Sequence, residues 1–289
     1  MDSAADADRA AQRANAWRAR AKALPTEIIF HQPRRTIAVS LTGAYCALNC
    51  AHCGGHYLRA MTPISRVLPN GATSFLISGG CDHLGRVPVA NHLDDVARLR
   101  PGHRLNWHVG LIGEEEAQAI APLVDIVSFD LIGDEETIQE VYGLDCGVEA
   151  YLHTYKMLCR YVRVVPHIII GLRGGQLGHE LPALLTLEKL GAEAIVFLVF
   201  IPTPGTRYAN RQPPAIEDVV KLLLTAREMF PEMPIYLGCM RPGGRYRSAL
   251  DPLAVRAGIN RIVNPAPAAQ REAERLGLRV RWAEECCVL

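Results

Sequence analysis

Apolar runs recur along the chain, separated by segments whose apolar positions return every three or four residues. "RTIAVSL" (Arg35–Leu41), "TSFLISGG" (Thr73–Gly80), "RLNWHVGLI" (Arg104–Ile112), "VDIVSFDLIG" (Val124–Gly133), "RVVPHIIIGL" (Arg163–Leu172) and "EAIVFLVFI" (Glu193–Ile201) read as strands. "PIYLGCM" (Pro234–Met240) and "RIVN" (Arg261–Asn264) are a shorter seventh and eighth. Helical patterns fall between them, near 93–99, 114–123, 135–161, 179–190, 216–230, 252–258 and 267–276. Near-continuous apolar strands alternating with helices are how parallel strands covered on both faces read. Eight such repeats predict an α/β fold of the (β/α)8, TIM-type barrel kind over 31–280. An Ala/Arg-rich N-terminal helical extension (1–30) precedes it, and a cysteine-containing tail (281–289) follows.

Barrels of this kind place their chemistry at the C-terminal ends of the strands. The special residues of this chain gather there. Cys46, Cys50 and Cys53 follow the first strand, and Gly79-Gly80-Cys81 ends the second. His108 and Gly110 come late in the third, Ser128 and Asp130 late in the fourth. Gly171 and Arg173 follow the fifth, "IPTPGTR" the sixth, and Cys239-Met240-Arg241 ends the seventh.

Composition narrows the classes. With 289 residues, 49% of them hydrophobic, the chain can bury a sizeable core in one domain. Its net charge is +1, from 31 basic and 30 acidic side chains, which gives no electrostatic footprint for nucleic acid. No apolar run reaches membrane-spanning length, and the N-terminus has no apolar signal-peptide core, so a cytoplasmic protein without membrane attachment is expected. The nine cysteines are an odd number and partly clustered, which points to metal binding or catalysis in a reducing compartment rather than to a disulfide framework. The terminal "CCVL" fits a C-a-a-X pattern, but "RWAEE" before it lacks the basic patch that anchoring needs.

The sharpest local signal is "AYCALNCAHCGGHYLRAM" (Ala44–Met61), with its C-x3-C-x2-C spacing. Two chemistries suit it. Cys46, Cys50 and Cys53 with His56 would make a Cys3His zinc site. Alternatively, the three thiolates hold three corners of a [4Fe–4S] cluster and leave one iron without a protein ligand. Position favours the second: the cluster opens the first β/α loop of a large barrel, where a catalytic site belongs.

These features together resemble the radical S-adenosylmethionine (SAM) superfamily. C-x3-C-x2-C after a first strand is its signature. "SFLISGG" resembles the glycine motif whose backbone, at Gly79 and Gly80 here, contacts the SAM amino group. "HIIIGLRGG" resembles the segment near the adenine, "FLVFIPTPGTR" the "PxPGT" element of the biotin-synthase-like branch, and "YLGCMRPGG" that branch's seventh-strand end. The resemblance runs from about Thr36 through Arg245. It departs at one place: His52 stands where the family usually carries an aromatic residue before the third cysteine.

The resemblance implies a [4Fe–4S] cluster on Cys46, Cys50 and Cys53, with SAM bound at its open iron and cleaved to a 5′-deoxyadenosyl radical. Gly79, Gly80, His108, Ser128, Gly171 and Arg173 are the residues it places around SAM, with Asn106 and Asp130 as further pocket candidates. Arg173 and Arg241 carry guanidinium forks suited to a carboxylate. More narrowly, "SLTGAYCALNCAHCGGHYLRAM" and the terminal "CCVL" resemble biotin-synthase homologues that include the smaller radical SAM component of the archaeal-type two-protein lipoyl synthase. That likeness implies sulfurtransferase chemistry: sulfur insertion into an octanoyl chain on a lipoyl carrier protein. The implied partners are a second radical SAM protein, the octanoylated carrier and an electron donor such as ferredoxin or flavodoxin. It also implies an auxiliary [4Fe–4S] cluster as sulfur source, for which Cys81, Cys239, Cys286 and Cys287 are the candidate ligands. Cys146 and Cys159 read as packing residues. Two other readings stand beside this one: another biotin-synthase-like radical step in cofactor or metallocofactor biosynthesis, and a zinc-stabilised binding protein.

Overall fold

The computed structural model of the protein describes residues 11, 14, 15, 26–68 and 70–289. The proposed N-terminal helix therefore lies almost entirely outside the described residues. The core is one curled, all-parallel sheet of 11 strands among the described residues. They are β1 (Glu27–His31), β2 (Thr36–Ser40), β3 (Thr62–Pro63), β4 (Ser74–Ser78), β5 (Arg104–His108), β6 (Ile126–Asp130), β7 (Val164–Ile170), β8 (Ile195–Val199), β9 (Ile235–Leu237), β10 (Arg261–Val263) and β11 (Arg279–Ala283). Their order across the sheet is β11-β1-β10-β9-β8-β7-β6-β5-β4-β2-β3.

The eight expected strands are all present, as β2 and β4 to β10. The closed eight-stranded barrel is not. Instead of β10 pairing with β2, β1 takes the place beside β10, with Ile29 opposite Arg261 and His31 opposite Val263. On its other side β1 pairs with β11 from Glu27–Arg279 to His31–Ala283. The physical reason lies in "EIIFH", whose Ile28 and Phe30 are completely buried. The last residues of the 1–30 segment thus belong to the sheet, and so do the first residues of the 281–289 tail.

Helices cover the outer face: α1 (Leu93–Ala97), α2 (Glu114–Ile120), α3 (Glu135–Thr137), α4 (Val148–Leu158), α5 (Glu180–Leu190), α6 (Ile216–Met229), α7 (Gly244–Arg256) and α8 (Pro267–Arg275). The single helix expected over 135–161 is broken. After α3 the chain makes a π-helical turn, Ile138–Tyr142, ends at Gly143 in the left-handed region, and restarts at α4. None of these helices is long and apolar enough to cross a membrane.

Alternation along the strands sorts the side chains. Phe75 and Ile77, Leu105 and Trp107, and Val127 and Phe129 are buried. Phe129 meets Tyr151 and Tyr155 of α4, so this set faces the helices. The alternate set, Ser74 and Ser78, Asn106 and His108, Ser128 and Asp130, therefore faces the inside of the curl. On β4 to β6 that lining is small or polar apart from Leu76 and Ile126, whereas the registers put apolar Val165, Ile169, Val196 and Leu198 of β7 and β8 on the same inner face, so the polar groups sit on one side of the lumen.

The tail closes the lower, N-terminal end of this lumen. Arg35 N–H donates to the Glu284 carbonyl (2.9 Å) and Cys286 N–H to Thr36 Oγ1 (2.9 Å). His31 Nδ1 meets the Glu285 carbonyl at 2.9 Å. The Arg261 guanidinium donates to the Cys287 carbonyl (2.5 Å) and that of Arg104 to the Leu289 carbonyl (3.0 Å). Arg104 also pairs with Glu285.

Candidate functional site

The loop from Thr42 to Ala60 has no strand and only a short 3-10 turn, so other elements must hold it. Ala47 N–H donates to the Cys81 carbonyl (2.8 Å) after β4, and Ala51 N–H to the Val141 carbonyl (2.7 Å) in the π turn. Tyr208 N–H, from the loop after β8, donates to the Ala51 carbonyl (3.1 Å). Within the loop, Gly54 N–H reaches the Cys50 carbonyl (2.9 Å) and His56 N–H the Cys53 carbonyl (2.7 Å). Gly54 and Gly55 lie at φ 47° and 71°, backbone that other residues adopt only under strain. Gly80 is pressed against the loop: a Cβ there would lie 1.9 Å from the Tyr45 carbonyl oxygen and 2.6 Å from Cys46 Cα. Only glycine fits.

This clamping turns Cys46, Cys50 and Cys53 into one cavity of about 270 Å3, near the low end of small-molecule sites (about 300 Å3). Gly79, Gly80, Cys81, His108, Ser128 and Asp130 line the same cavity, as do Tyr142 and Tyr151. Of the expected SAM-binding residues, four are therefore brought together: Gly79, Gly80, His108 and Ser128. Gly171 and Arg173 are not. Gly171 N–H is bonded to Glu180 Oε1 (2.7 Å), and Arg173 pairs with Glu136. Arg241 is buried in a two-pronged ion pair with Asp251, both contacts 2.9 Å, and donates to the Gly238 carbonyl. Its guanidinium is committed to structure and does not stand free for a carboxylate.

The thiols are electrostatically uneven. The Cys50 thiol bonds to the Cys53 sulfur, which pulls Cys53 far below the usual thiol range; His52 and the Gly55 N–H add to this. The same bond, followed by burial and the neighbouring thiols, pushes Cys50 up. Burial, then Cys46, Asp82 and Asp130, pushes Cys81 to about 12. Burial lowers His108 and His167, edge to face at 5.3 Å, to about 4, and His108 adds to the lowering at His167. Burial likewise raises the Asp130 carboxyl.

Three buried polar atoms around the cavity find no partner among the described residues: His52 Nδ1, Asp130 Oδ1 and the Tyr142 hydroxyl. Buried orphans of this kind are costly unless something else satisfies them. Tyr142 was invisible in the sequence, because the π turn that brings it under His52 (ring centroids 5.7 Å) leaves no periodic trace. His56 stacks edge-on against Tyr57 at 5.5 Å. No three His, Cys, Asp or Glu side chains converge on a single-ion position among the described residues. The corners of an iron–sulfur cube are separate irons, so thiolates that hold one stand apart. Thiols around a cavity with unsatisfied polar atoms fit a [4Fe–4S] cluster and a polar cofactor beside it.

The remaining cysteines divide. Cys81 belongs with the loop triad. Cys286 lies lower, its sulfur accepting from Asn106 Nδ2 (3.6 Å), while Ser128 Oγ donates to Asn106 Oδ1 (2.9 Å). The neighbouring Cys287 thiol lowers Cys286 to about 7. Cys239 is exposed past the end of β9; burial and then Cys286 raise its pKa, and it in turn acts on Tyr57 of the loop. The four candidate auxiliary ligands thus do not form one group. Cys146 packs against the core as expected, whereas Cys159 is exposed.

No family model matches the chain, and no curated relative does. Solved structures do match. Methylornithine synthase (PylB) superposes with a TM-score of 0.67 at 13% identity, over 93% of this chain and 88% of that one. The FeFe-hydrogenase maturase HydG from Carboxydothermus hydrogenoformans gives 0.65 at 16%, over 86% and 62%. Streptococcus suis SuiB bound to S-adenosylmethionine gives 0.55 at 14%, over 74% and 52%. At these identities the likeness is one of fold: this chain has the curled parallel sheet of those proteins.

Proposed function

We propose that the protein is a radical SAM enzyme. The observation that carries this reading is the clamped loop: three thiols open onto one cavity whose wall also holds the Gly79–Gly80 backbone and three orphaned polar atoms. Cys46, Cys50 and Cys53 would hold a [4Fe–4S] cluster, with SAM beside it. When bound, the pair supplies reductive cleavage of SAM to a 5′-deoxyadenosyl radical, which abstracts hydrogen from carbon. The chain's own part is to bind and to exclude water. Gly80 serves the site indirectly: its missing side chain lets the Tyr45–Cys46 backbone pack against the end of β4, and its N–H is held by Thr42 Oγ1 (2.7 Å). Asp130 Oδ1 and the Tyr142 hydroxyl offer an acceptor and a donor. Leu48, Leu58, Val87 and Leu111 keep the cavity apolar elsewhere.

Within that class, the reading is sulfur insertion into an octanoyl chain in lipoyl assembly. Cys286 and Cys287 sit together in the tail, and Cys239, past the end of β9, lies within electrostatic reach of both and of Tyr57 in the loop; this supports a place for an auxiliary cluster that gives up its sulfur. A second radical SAM protein, an octanoylated lipoyl carrier and a ferredoxin- or flavodoxin-like donor complete the proposal. Nine free thiols suit a reducing compartment such as the cytoplasm.

Anaerobic reconstitution with iron and sulfide, followed by reductant, SAM and an octanoylated carrier peptide, tests each level. Iron content and SAM cleavage that both survive Cys46→Ala, Cys50→Ala and Cys53→Ala sink the radical reading on this triad; a chain that takes up zinc, assembles no iron–sulfur cluster and cleaves no SAM leaves the zinc-binding alternative. Roughly eight irons per chain indicate two [4Fe–4S] clusters, and about four remove the auxiliary one. SAM cleavage with no thiolated product, partner present or absent, removes the lipoyl step and leaves another radical reaction.

A further inference from the structure

Cys81 is not needed by the three-thiol site, yet the fold delivers it there. It follows directly on Gly80, whose backbone lies against Cys46. Its own carbonyl is bonded to Ala47 N–H at 2.8 Å, which ties residue 81 to the residue after Cys46. Its side chain lines the same cavity as Cys46, Cys50 and Cys53 and is part-exposed to it. One side of Cys81 packs against the hydrophobic core. The other opens on the cavity wall that also carries Asp130 and the three loop thiols, so the fold sets a fourth thiol at the rim the triad shares.

From this placement we infer that Cys81 is a fourth, displaceable thiolate that caps the open iron of the triad's cluster when SAM is absent. The inference rests on the cluster reading above. No electrons move in the exchange. On capping, Cys81 gives its thiol proton to solvent and forms an S–Fe bond. On SAM binding that bond breaks, the thiolate takes up a proton, and the amine and carboxylate of SAM take the iron. The cavity is thereby shielded from water and oxidants until the cosubstrate arrives. The apparent affinity for SAM is correspondingly reduced by the capped fraction.

The test compares the full-length reconstituted wild type with Cys81→Ala, Cys81→Ser and, as a control away from the site, Cys159→Ala. Two readouts are independent of turnover: SAM dissociation constants from equilibrium binding, and iron retention on ferricyanide treatment without SAM. A cap that is nine-tenths populated predicts roughly tenfold tighter SAM binding in Cys81→Ala. The serine variant falls between, since a hydroxyl is the poorer ligand. It also keeps the test alive if the alanine variant folds poorly. The capped wild type holds its fourth iron under ferricyanide, whereas Cys81→Ala yields the three-iron cluster signal by electron paramagnetic resonance. SAM affinity that is unchanged or weaker in both variants overturns the inference. A SAM-responsive cluster that persists in Cys46→Ala overturns the triad itself, a separate and distinguishable failure.

Discussion

The loop thiols and the tail thiols are held in opposite ways. Cys46, Cys50 and Cys53 lie within eight residues of one another and are clamped by backbone bonds from the loop's own turn, the end of β4, the π turn and the β8 loop. Cys286 and Cys287 occupy their place only because His31, Thr36, Arg104 and Arg261, far away in the chain, capture the last six residues. A local spacing therefore announces the first group, and only the finished sheet creates the second. The loop site should survive loss of the tail, while the tail site cannot form unless the sheet has curled.

Removing residues 286–289 is the strongest way to separate the two. Cys287 and Val288 are buried, and burial of such side chains contributes about 2 kcal/mol each. The Arg104 and Arg261 contacts go with them. The truncated chain should melt several degrees lower in calorimetry, and under the proposed auxiliary cluster its iron content should drop by that cluster's share. SAM cleavage by the loop cluster should remain. Loss of SAM cleavage together with all iron, in a chain that still folds, would show that the two thiol groups are one site.

Gly80→Ala makes the converse cut. Its Cβ meets backbone at 1.9 Å, so the loop must shift, with a cost of about 3 kcal/mol for forced overpacking. SAM cleavage should fall to a small fraction, while the tail's contacts stay in place and lumen iron is retained. Gly43, where a Cβ meets nothing within 4 Å, is the control for alanine in the same loop. Its positive φ of 62° adds only the modest strain of that backbone region.

Acid should act through buried histidines, at the tail among other places. Burial, then Arg261 and Arg281, lowers His31 to about 4, against 6.5 in an unfolded chain. The unfolded state therefore takes up the proton first. This stability is complete above pH 6.5 and is lost as the pH falls from 6.5 towards 4. His108 and His167 share the sign and the window. The melting temperature should drop steadily between pH 7 and pH 5. His31→Asn, whose amide nitrogen stands where Nδ1 meets Glu285, should flatten that slope by a part. An unaltered slope would assign the loss, among these three histidines, to His108 and His167.

Much of the upper site was legible in the sequence. The thiol spacing, the glycine pair, and His108 and Ser128 late in their strands were all readable, because strand ends and loops carry local signatures. What stayed hidden depends on distant partners. "EIIFH" gave no hint that it would insert between β10 and β11, and "RVRWA" looks like surface because β11 is an exposed edge strand. Asn106, Ser128 and Asp130 were readable as candidates, but that they share one inward face with His108 and His167 became visible only through the strand registers. Arg173 and Arg241 looked available until Glu136 and Asp251 were found against them. The triad could be told from the other cysteines, but Cys81, which lines the triad's cavity, could not be told from Cys239, Cys286 and Cys287.

The smallest effect is the most discriminating about the loop. His52 has its Nδ1 buried without a partner, a cost of about 1–3 kcal/mol for a full orphan. A phenylalanine there keeps the edge-on contact with Tyr142 and removes the orphan. In the metal-free protein, His52→Phe should thus leave the melting temperature unchanged or raise it slightly. In the reconstituted protein the sign should reverse if the imidazole gains a partner, since the variant then loses a hydrogen bond that the loaded site makes. Melting curves of the wild type and His52→Phe, with and without iron and sulfide, read the difference directly. Equal shifts in the two states would mean that His52 only packs, as an aromatic ring in its place would.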